Sequence, residues 1–376
     1  MSYICTVKIY ELIDRQLLDD MIARKYINVQ VHPEFGYKLY NYSKSCTLEH
    51  VWNDATELCR GIITDADDNI IARPFRKFYN YEEIEQKGVI PTELPYKIYE
   101  KRDGSMGTLY WSPDGVPFIA TRGSFESDQA LFATELLRKI LKWGEFGDIS
   151  KVLTNFVTDG NSSKKKFKVR YTLVFEIIYP EDRHVVDYGG EESITLLAII
   201  DNETGDEVDP KRLSHIFGVV KCYESTDWKH IRDVYDGDNA EGFVVKFSNN
   251  FRMKLKYEQW FRKNALMSGL SRRKVLDFVV NDDLKGLFGI VNQLNEENKI
   301  YYTDILKELR RMYAEIECDA FSEYREFETD KEAAFYFNAC KNRAILFAIR
   351  NGKDYSRIIW KRIKELVKDV PKCEDE

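Results

Sequence analysis

The character of this 376-residue chain changes once, near Lys256, and that change bounds what it can fold into. Before it, short apolar runs alternate with turns rich in Gly, Pro and Asp. Beyond it, glycine turns become rare and apolar residues recur at helical intervals, as in Leu306, Leu309, Met312 and Ile316, or Ile345, Leu346 and Ile349. The pattern predicts an α+β domain of antiparallel sheets with flanking helices over residues 1–260, followed by an all-α domain over residues 261–376. The boundary falls within 257–268. No internal repeat or low-complexity tract interrupts either part.

Composition excludes several classes. At 44% hydrophobic and 14% aromatic residues the chain can bury ordinary cores, so disorder is not expected over most of its length. Seven cysteines, an odd number with no C-x-x-C pair, fit neither a disulfide framework nor a zinc ribbon and point to a reducing compartment. The first residues lack a charged-then-apolar signal pattern, and no apolar run approaches the ~18 residues of a membrane span. A cytoplasmic protein is expected, in the host cytoplasm if the source is viral. The net charge of −7 argues weakly against non-specific polyanion binding, but a groove is local.

Within the first domain, Ile9, Leu12, Ile13, Leu17, Leu18, Met21 and Ile22 predict one opening helix over 8–25. Strands are expected at 27–31 and 37–42, then a hairpin from 58–65 to 70–74. A second hairpin is expected from 96–100 to 106–111 across Asp103-Gly104, with a third strand at 118–122. A helix ending near Gly144, a basic loop over 158–170 and strands at 171–178, 194–200 and 242–247 follow. Helical patterns stand around 210–217 and 227–234.

The chemistry centres on Lys101-Arg102-Asp103-Gly104. A turn holds the amine at a sheet edge, and glycine lets a substrate approach the backbone. Lysine attacks only when deprotonated, so burial or neighbouring cations are expected to depress its pKa. Alone, the motif reads first as an ordinary exposed hairpin with a solvated lysine. Its company matters more. Glu176 and Glu241 stand in apolar strand contexts where a carboxylate needs a cation, hydroxyl or metal. Lys254 and Lys256 have period-two spacing and share one strand face, as a phosphate site needs. Residues 252–274 hold eight basic residues against Glu258 alone, a candidate phosphate-backbone footprint, and the 164–170 loop is a second. His184 lacks a partner at metal-ligand spacing, and no Walker-type loop is present.

In this order, K-x-D-G, Phe175-Glu176, E-G-x-V-x-K from Glu241 and K-x-K at 254–256 resemble the covalent nucleotidyltransferase superfamily of ATP-dependent ligases and capping enzymes. Cys59-Arg60-Gly61-Ile62, Arg73-Pro74 with Lys77-Phe78-Tyr79-Asn80, and Arg122-Gly123-Ser124 extend the resemblance to the phage-type RNA ligase 1 family over roughly residues 37–285.

The resemblance implies a nucleotidyltransferase domain in which Lys101 attacks the α-phosphorus of ATP and carries AMP. It implies that Asp103, Gly104 and Glu176 shape the nucleoside pocket, and that Arg60, Lys77, Arg122, Lys254 and Lys256 bind phosphate. Glu241 and Asp282 would serve a Mg2+ or Mn2+ ion, with the macrodipole of a following helix as the plainer account of Asp282. Tyr40 and Tyr42 would contact nucleotide or simply pack. The implied substrate is RNA with 5′-phosphate and 3′-hydroxyl ends, including broken tRNA, with RNA choice resting on the helical domain and end-healing on a kinase/phosphatase partner. Arg122 stands where the family has lysine, and Trp260, with Tyr257 nearby, where it has tyrosine. The alternatives are a DNA ligase, a GTP-dependent capping enzyme, or a non-catalytic RNA-binding module of the same fold.

Overall fold

The computed structural model describes residues 7–142, 149–158, 169–182, 184–223, 227–294 and 296–367. Gly144 and Lys164, Lys165, Lys166 and Lys168 of the expected basic loop lie outside them. The chain divides into two compact units, one running to Tyr257 and one beginning at Glu258.

In the first unit the strands are β1 (Ile27–Val31), β2 (Lys38–Tyr42), β3 (Arg60–Thr64), β4 (Ile70–Ala72), β5 (Tyr79–Asn80), β6 (Tyr96–Lys101), β7 (Ser105–Trp111), β8 (Pro117–Thr121), β9 (Tyr171–Ile178), β10 (Ser193–Asp201), β11 (Glu207–Val208), β12 (Cys222–Tyr223), β13 (Gly242–Phe247) and β14 (Arg252–Lys256). Among the described residues they form three sheets, ordered β1-β2-β3-β4, β11-β10-β9-β7-β8 and β12-β6-β13-β14-β5. Neighbours are antiparallel except β5 and β14, which run parallel.

Each sheet buries an apolar face. The β9-centred sheet packs Leu109, Ile119, Leu173, Phe175 and Ile177 against Ala133 and Leu137 of the helix Asp128–Lys142 and Leu153 of the helix Ile149–Val157. The first sheet packs Ile27, Tyr40 and Ile62 against Leu18 and Met21. A smaller cluster of Phe75, Met106, Val174 and Ala198, with Phe78 against it, lies beside the pocket.

Three expectations are corrected. The opening helix is two, Ile9–Leu12 and Arg15–Ala23, because Ile13 is extended and the Asp14 carboxylate accepts a hydrogen bond from Leu17 N at 2.8 Å, starting a new helix. The helical patterns around 210–217 and 227–234 shrink to short turns, Pro210–Leu213 and Ile231–Val234. Most consequentially, β6 and β7 form no hairpin. They belong to different sheets, and residues 102–104 are the crossing between them.

The second unit is helical, with Glu258–Gly269, Arg272–Val280, Leu284–Val291, Glu296–Glu323, Asp330–Ala339, Arg343–Arg350 and Ser356–Leu366. Ser271 and Thr329 cap two of these through Lys274 N and Glu332 N. Among the described residues no helix is long and apolar enough to cross a membrane.

Candidate active site

Register brings the motifs together. Lys101 pairs with Gly242 on β13, which pairs on its other side with Lys256 of β14. Two lysines therefore flank one glycine. Glu241, just before Gly242, reaches both: its Oε2 accepts from Lys101 Nζ at 2.7 Å and its Oε1 lies 2.9 Å from Lys256 Nζ. The carboxylate is 3% exposed, and burial alone would raise its pKa; the two ammonium groups instead hold it below the usual range. Gly242 has a φ of +144°, and a Cβ there would stand 2.0 Å from Leu255 O. Only glycine lets β13 and β14 close this tightly.

From the other sheet comes Glu176, opposite Met106 in the β7–β9 ladder. Its Oε1 accepts a hydrogen bond from Gly104 N at 3.0 Å. Burial, with Glu241 and Asp103 nearby, pushes its carboxyl up to about 7 despite the opposing pull of Lys101. A Cβ on Gly104 would meet Ile177 O at 2.4 Å, so the glycine is required by close approach. Asp103 is fixed by backbone amides while its charge acts on Glu176, Lys101 and Lys256. Its Oδ2 accepts from Val185 N at 2.7 Å and Val186 N at 3.0 Å, while its own N–H donates to the Tyr188 hydroxyl. Arg102 makes a two-pronged contact with Glu191 at 2.8 and 2.9 Å. The segment around 185–191 thus clasps the crossing from outside, a role that nothing in the local sequence signalled.

A cationic wall completes the site. β5 runs beside β14 with Asn80 opposite Lys254, so Phe78 lies under the Lys254 ammonium, 5.0 Å from Nζ, and 5.4 Å from the Arg60 guanidinium. Lys77 Nζ sits 4.1 Å over Trp52 and 4.5 Å over Tyr79. Among the described residues neither Lys254 nor Lys77 forms an ion pair with a carboxylate. Burial first, then Lys101, Arg60, Lys256 and Lys77, lower the Lys254 pKa well below its ordinary value. Burial likewise lowers Lys77 and Arg60.

That reverses one expectation. Burial would lower Lys101, but Glu241 and Glu176 outweigh it and raise its pKa, so the resting amine is a held ammonium. The cations expected to depress Lys101 are outweighed there by carboxylates, whereas at Lys254 they and burial prevail.

The remaining candidates are distributed. Arg122 is buried and donates from Nη1 to the Tyr42 hydroxyl at 2.6 Å. Burial would raise that phenol, yet Arg122, Arg60 and Lys77 bring it below its usual value. Tyr42 also meets Trp52 edge to face at 5.1 Å, linking it to the Lys77 cage. Tyr40 lies in the core of the first sheet, its phenol pushed up to about 12 by burial. Asp282 belongs to the second unit, exposed with a φ of +55° beside Asp283, which caps Leu284–Val291 through Gly286 N. Trp260 is also in that unit and buried.

The basic run over 252–274 is not a bare stripe. Arg252 meets Glu207, Lys256 meets Glu241, Arg262 meets Glu258 and Arg272 meets Glu308. Arg170, from the edge of the expected loop, pairs with Asp201 at 2.8 Å.

Among the described residues no group of three or more His, Cys, Asp or Glu forms a metal cage. A Mg2+-like ion bound through one or two carboxylates and substrate phosphates needs none. Glu241 is the buried carboxylate nearest the lysines expected to bind phosphate, and both of its oxygens are held by ammonium groups, Oε2 by Lys101 and Oε1 by Lys256.

The chain is similar to several known proteins. A family model described as RNA ligase matches residues 58–264. A putative bifunctional polynucleotide kinase/RNA ligase of Autographa californica nuclear polyhedrosis virus is 26% identical over 250 residues, covering 61% of this chain and 34% of that one. The chain thus spans about a third of that relative's length. An RNA ligase of Rhodothermus phage RM378 is 22% identical, covering 87% of this chain and 89% of that one. Among solved structures, an archaeal ATP-dependent RNA ligase (form 2) matches with a TM-score of 0.47 and 14% identity, over 81% of each chain.

Proposed function

The chain belongs to the RNA ligase family, and from that premise we propose that it joins 5′-phosphate and 3′-hydroxyl RNA ends using ATP, with Lys101 as the carrier of AMP. The observation that carries this reading is Lys254. It is an ammonium of lowered pKa without a carboxylate partner among the described residues, surrounded by Lys101, Lys256, Arg60 and Lys77. Such a cluster is self-repulsive until an anion enters, and a polyphosphate is the anion whose chemistry then uses an adjacent amine.

In the first step the deprotonated Lys101 Nζ attacks the α-phosphorus of ATP. The N–P bond forms, the bond to the bridging oxygen breaks, and pyrophosphate leaves against Arg60, Lys77 and Lys254. Glu241 Oε2, 2.7 Å from Nζ, is the atom placed to hold the amine's proton. In the second step a 5′-phosphate oxygen of RNA attacks the same phosphorus and Lys101 departs, leaving an AMP-capped end. In the third step a 3′-hydroxyl attacks the RNA 5′-phosphorus, the phosphodiester forms and AMP leaves. Positioning and charge neutralisation supply most of such catalysis. Mg2+ or Mn2+ at Glu241 would neutralise phosphate charge. Glu176 and Gly104 then border the nucleoside, and Arg122 with Tyr42 orders the phosphate wall.

Broken tRNA is the substrate proposed for the sealing step, with RNA choice assigned to the helical unit and end-healing to a separate kinase/phosphatase. The kinase/ligase description of the viral relative supports the latter. A reducing cytoplasm, the host's if the source is viral, is the compartment this reading expects. Incubation with ATP and a 5′-phosphorylated RNA should yield AMP-capped and sealed RNA, and the matching DNA far less. Labelling by GTP alone, or sealing of DNA in preference to RNA, would overturn the proposal.

A further inference from the structure

Adjoining the cationic wall, and sharing Lys77 with it, is a cavity of about 940 Å3 bordered by Trp52, Arg76, Tyr79, Lys87 and Arg252. We propose that it seats the 5′-terminal nucleotides of the phosphorylated RNA strand. The inference rests on the ligase reading above and deepens it by locating one of the two RNA ends.

In-line displacement supplies the direction. Pyrophosphate leaves the α-phosphorus on the side opposite Lys101. When Lys101 is itself the leaving group, the RNA 5′-phosphate must attack from that same opposite side. The entering phosphate therefore replaces pyrophosphate against Arg60, Lys77 and Lys254, and its strand continues outward from there. Lys77 belongs to both the wall and the cavity, so the cavity is the strand's continuation.

The cavity's chemistry suits the ligand. Its volume stands at the top of the ~300–1,000 Å3 usual for one small ligand, enough for a short run of nucleotides. Trp52 and Tyr79 meet edge to face at 6.3 Å and give the wall aromatic surface against which bases can stack.

Its carboxylates are already engaged. Glu57 accepts from the Tyr79 hydroxyl at 2.7 Å and meets Arg76 at 3.5 Å. Glu207 is held by Arg252 and Lys246, and Glu83 accepts from Asn80 N at 2.7 Å. Glu83 meets no cation among the described residues, but over the lining Arg73, Arg76, Lys77, Lys87 and Arg252 outnumber Glu57, Glu83 and Glu207. Among the described residues Arg73, Lys77 and Lys87 form no ion pair; Arg73 bonds only the carbonyls of Asn202 and Glu203, and Lys87 is an exposed residue ending the turn Glu85–Lys87, 5.6 Å over Tyr79. A polyanion bearing bases matches that surface better than a peptide or an apolar ligand.

The test uses the full chain and separates the two chemical steps. Lys87→Glu combined with Arg76→Ala should leave labelling of the protein by ATP within about twofold. It should slow transfer of AMP from the preformed adduct to 5′-phosphorylated RNA about tenfold or more, with a shallower salt dependence. Transfer at the unaltered rate would overturn the cavity assignment.

Separately, unsubstituted protein carrying AMP would be irradiated with RNA bearing 5-iodouridine at its second nucleotide. Cross-links to peptides containing Trp52 or Tyr79 are expected, and cross-links only elsewhere would overturn the assignment even if the variant failed to fold. If the unsubstituted protein takes no AMP, or takes it and never passes it to RNA, the failure is that of the ligase reading. The two results are therefore distinguishable.

Discussion

Glu176 is a carboxylate strongly altered by its surroundings, and its effect on stability has a definite sign. Its carboxyl is raised to about 7, from an ordinary value of 4.5. Below the unfolded pKa both states are protonated and the group is neutral to stability. As pH rises through 4.5 to 7 the unfolded chain ionises first, so the folded state loses ground, by about 3 kcal/mol once both are ionised. Glu176→Gln keeps an oxygen for Gly104 N and removes the ionisation. In urea unfolding it should be more stable than the unsubstituted protein at pH 8, by up to ~2–3 kcal/mol, and equal to it near pH 4. Equal stability at both pH values would contradict the assigned environment. The identity of this carboxylate was legible from its apolar strand. The direction of its neighbour's shift was not, because which charges surround Lys101 depends on partners 75 and 140 positions away in the chain, Glu176 and Glu241.

At the scale of elements, the site is a row of registers: Lys101, Gly242 and Lys256 across three strands, with Glu241 turned back over the row. Gly242→Ala tests that row. With φ at +144° and Leu255 O at 2.0 Å from the new Cβ, the strands must separate. A loss of roughly 3 kcal/mol or more in denaturant unfolding is expected, together with weakened labelling by ATP. Full stability with full labelling would contradict the packing.

The strands at 60–64, 171–178 and 242–247 could be read from apolar runs and turn residues, although residues 58 and 59, expected in the first of them, end a short helix instead. The hairpin expected at Asp103-Gly104 could not be corrected locally. An Asp-Gly pair between alternating runs is the ordinary signal for a tight turn. Here the aspartate is taken by the amides of Val185 and Val186, and the glycine by the approach of Ile177 O. Both partners are distant in sequence, so the pair joins two sheets. The clasp of Tyr188 and Glu191 was hidden for the same reason.

Considered as a whole molecule, the chain carries a net charge of −7 yet gathers Arg60, Lys77, Lys101, Lys254 and Lys256 around one pocket. Global charge conceals this because much of the basic run near residue 260 is matched by carboxylates, whereas Lys254 and Lys77 are not. The change from strands to helices near Lys256 was visible in glycine usage and apolar spacing, and it coincides with the division between the two compact units.

The central claim is that Lys101 carries AMP, and intact-mass analysis with peptide mapping after incubation with ATP and Mg2+ tests it most directly. The account predicts one added AMP on the peptide bearing Lys101, released by pyrophosphate and absent from Lys101→Ala. An adduct on another residue, or one that persists in Lys101→Ala, would contradict it.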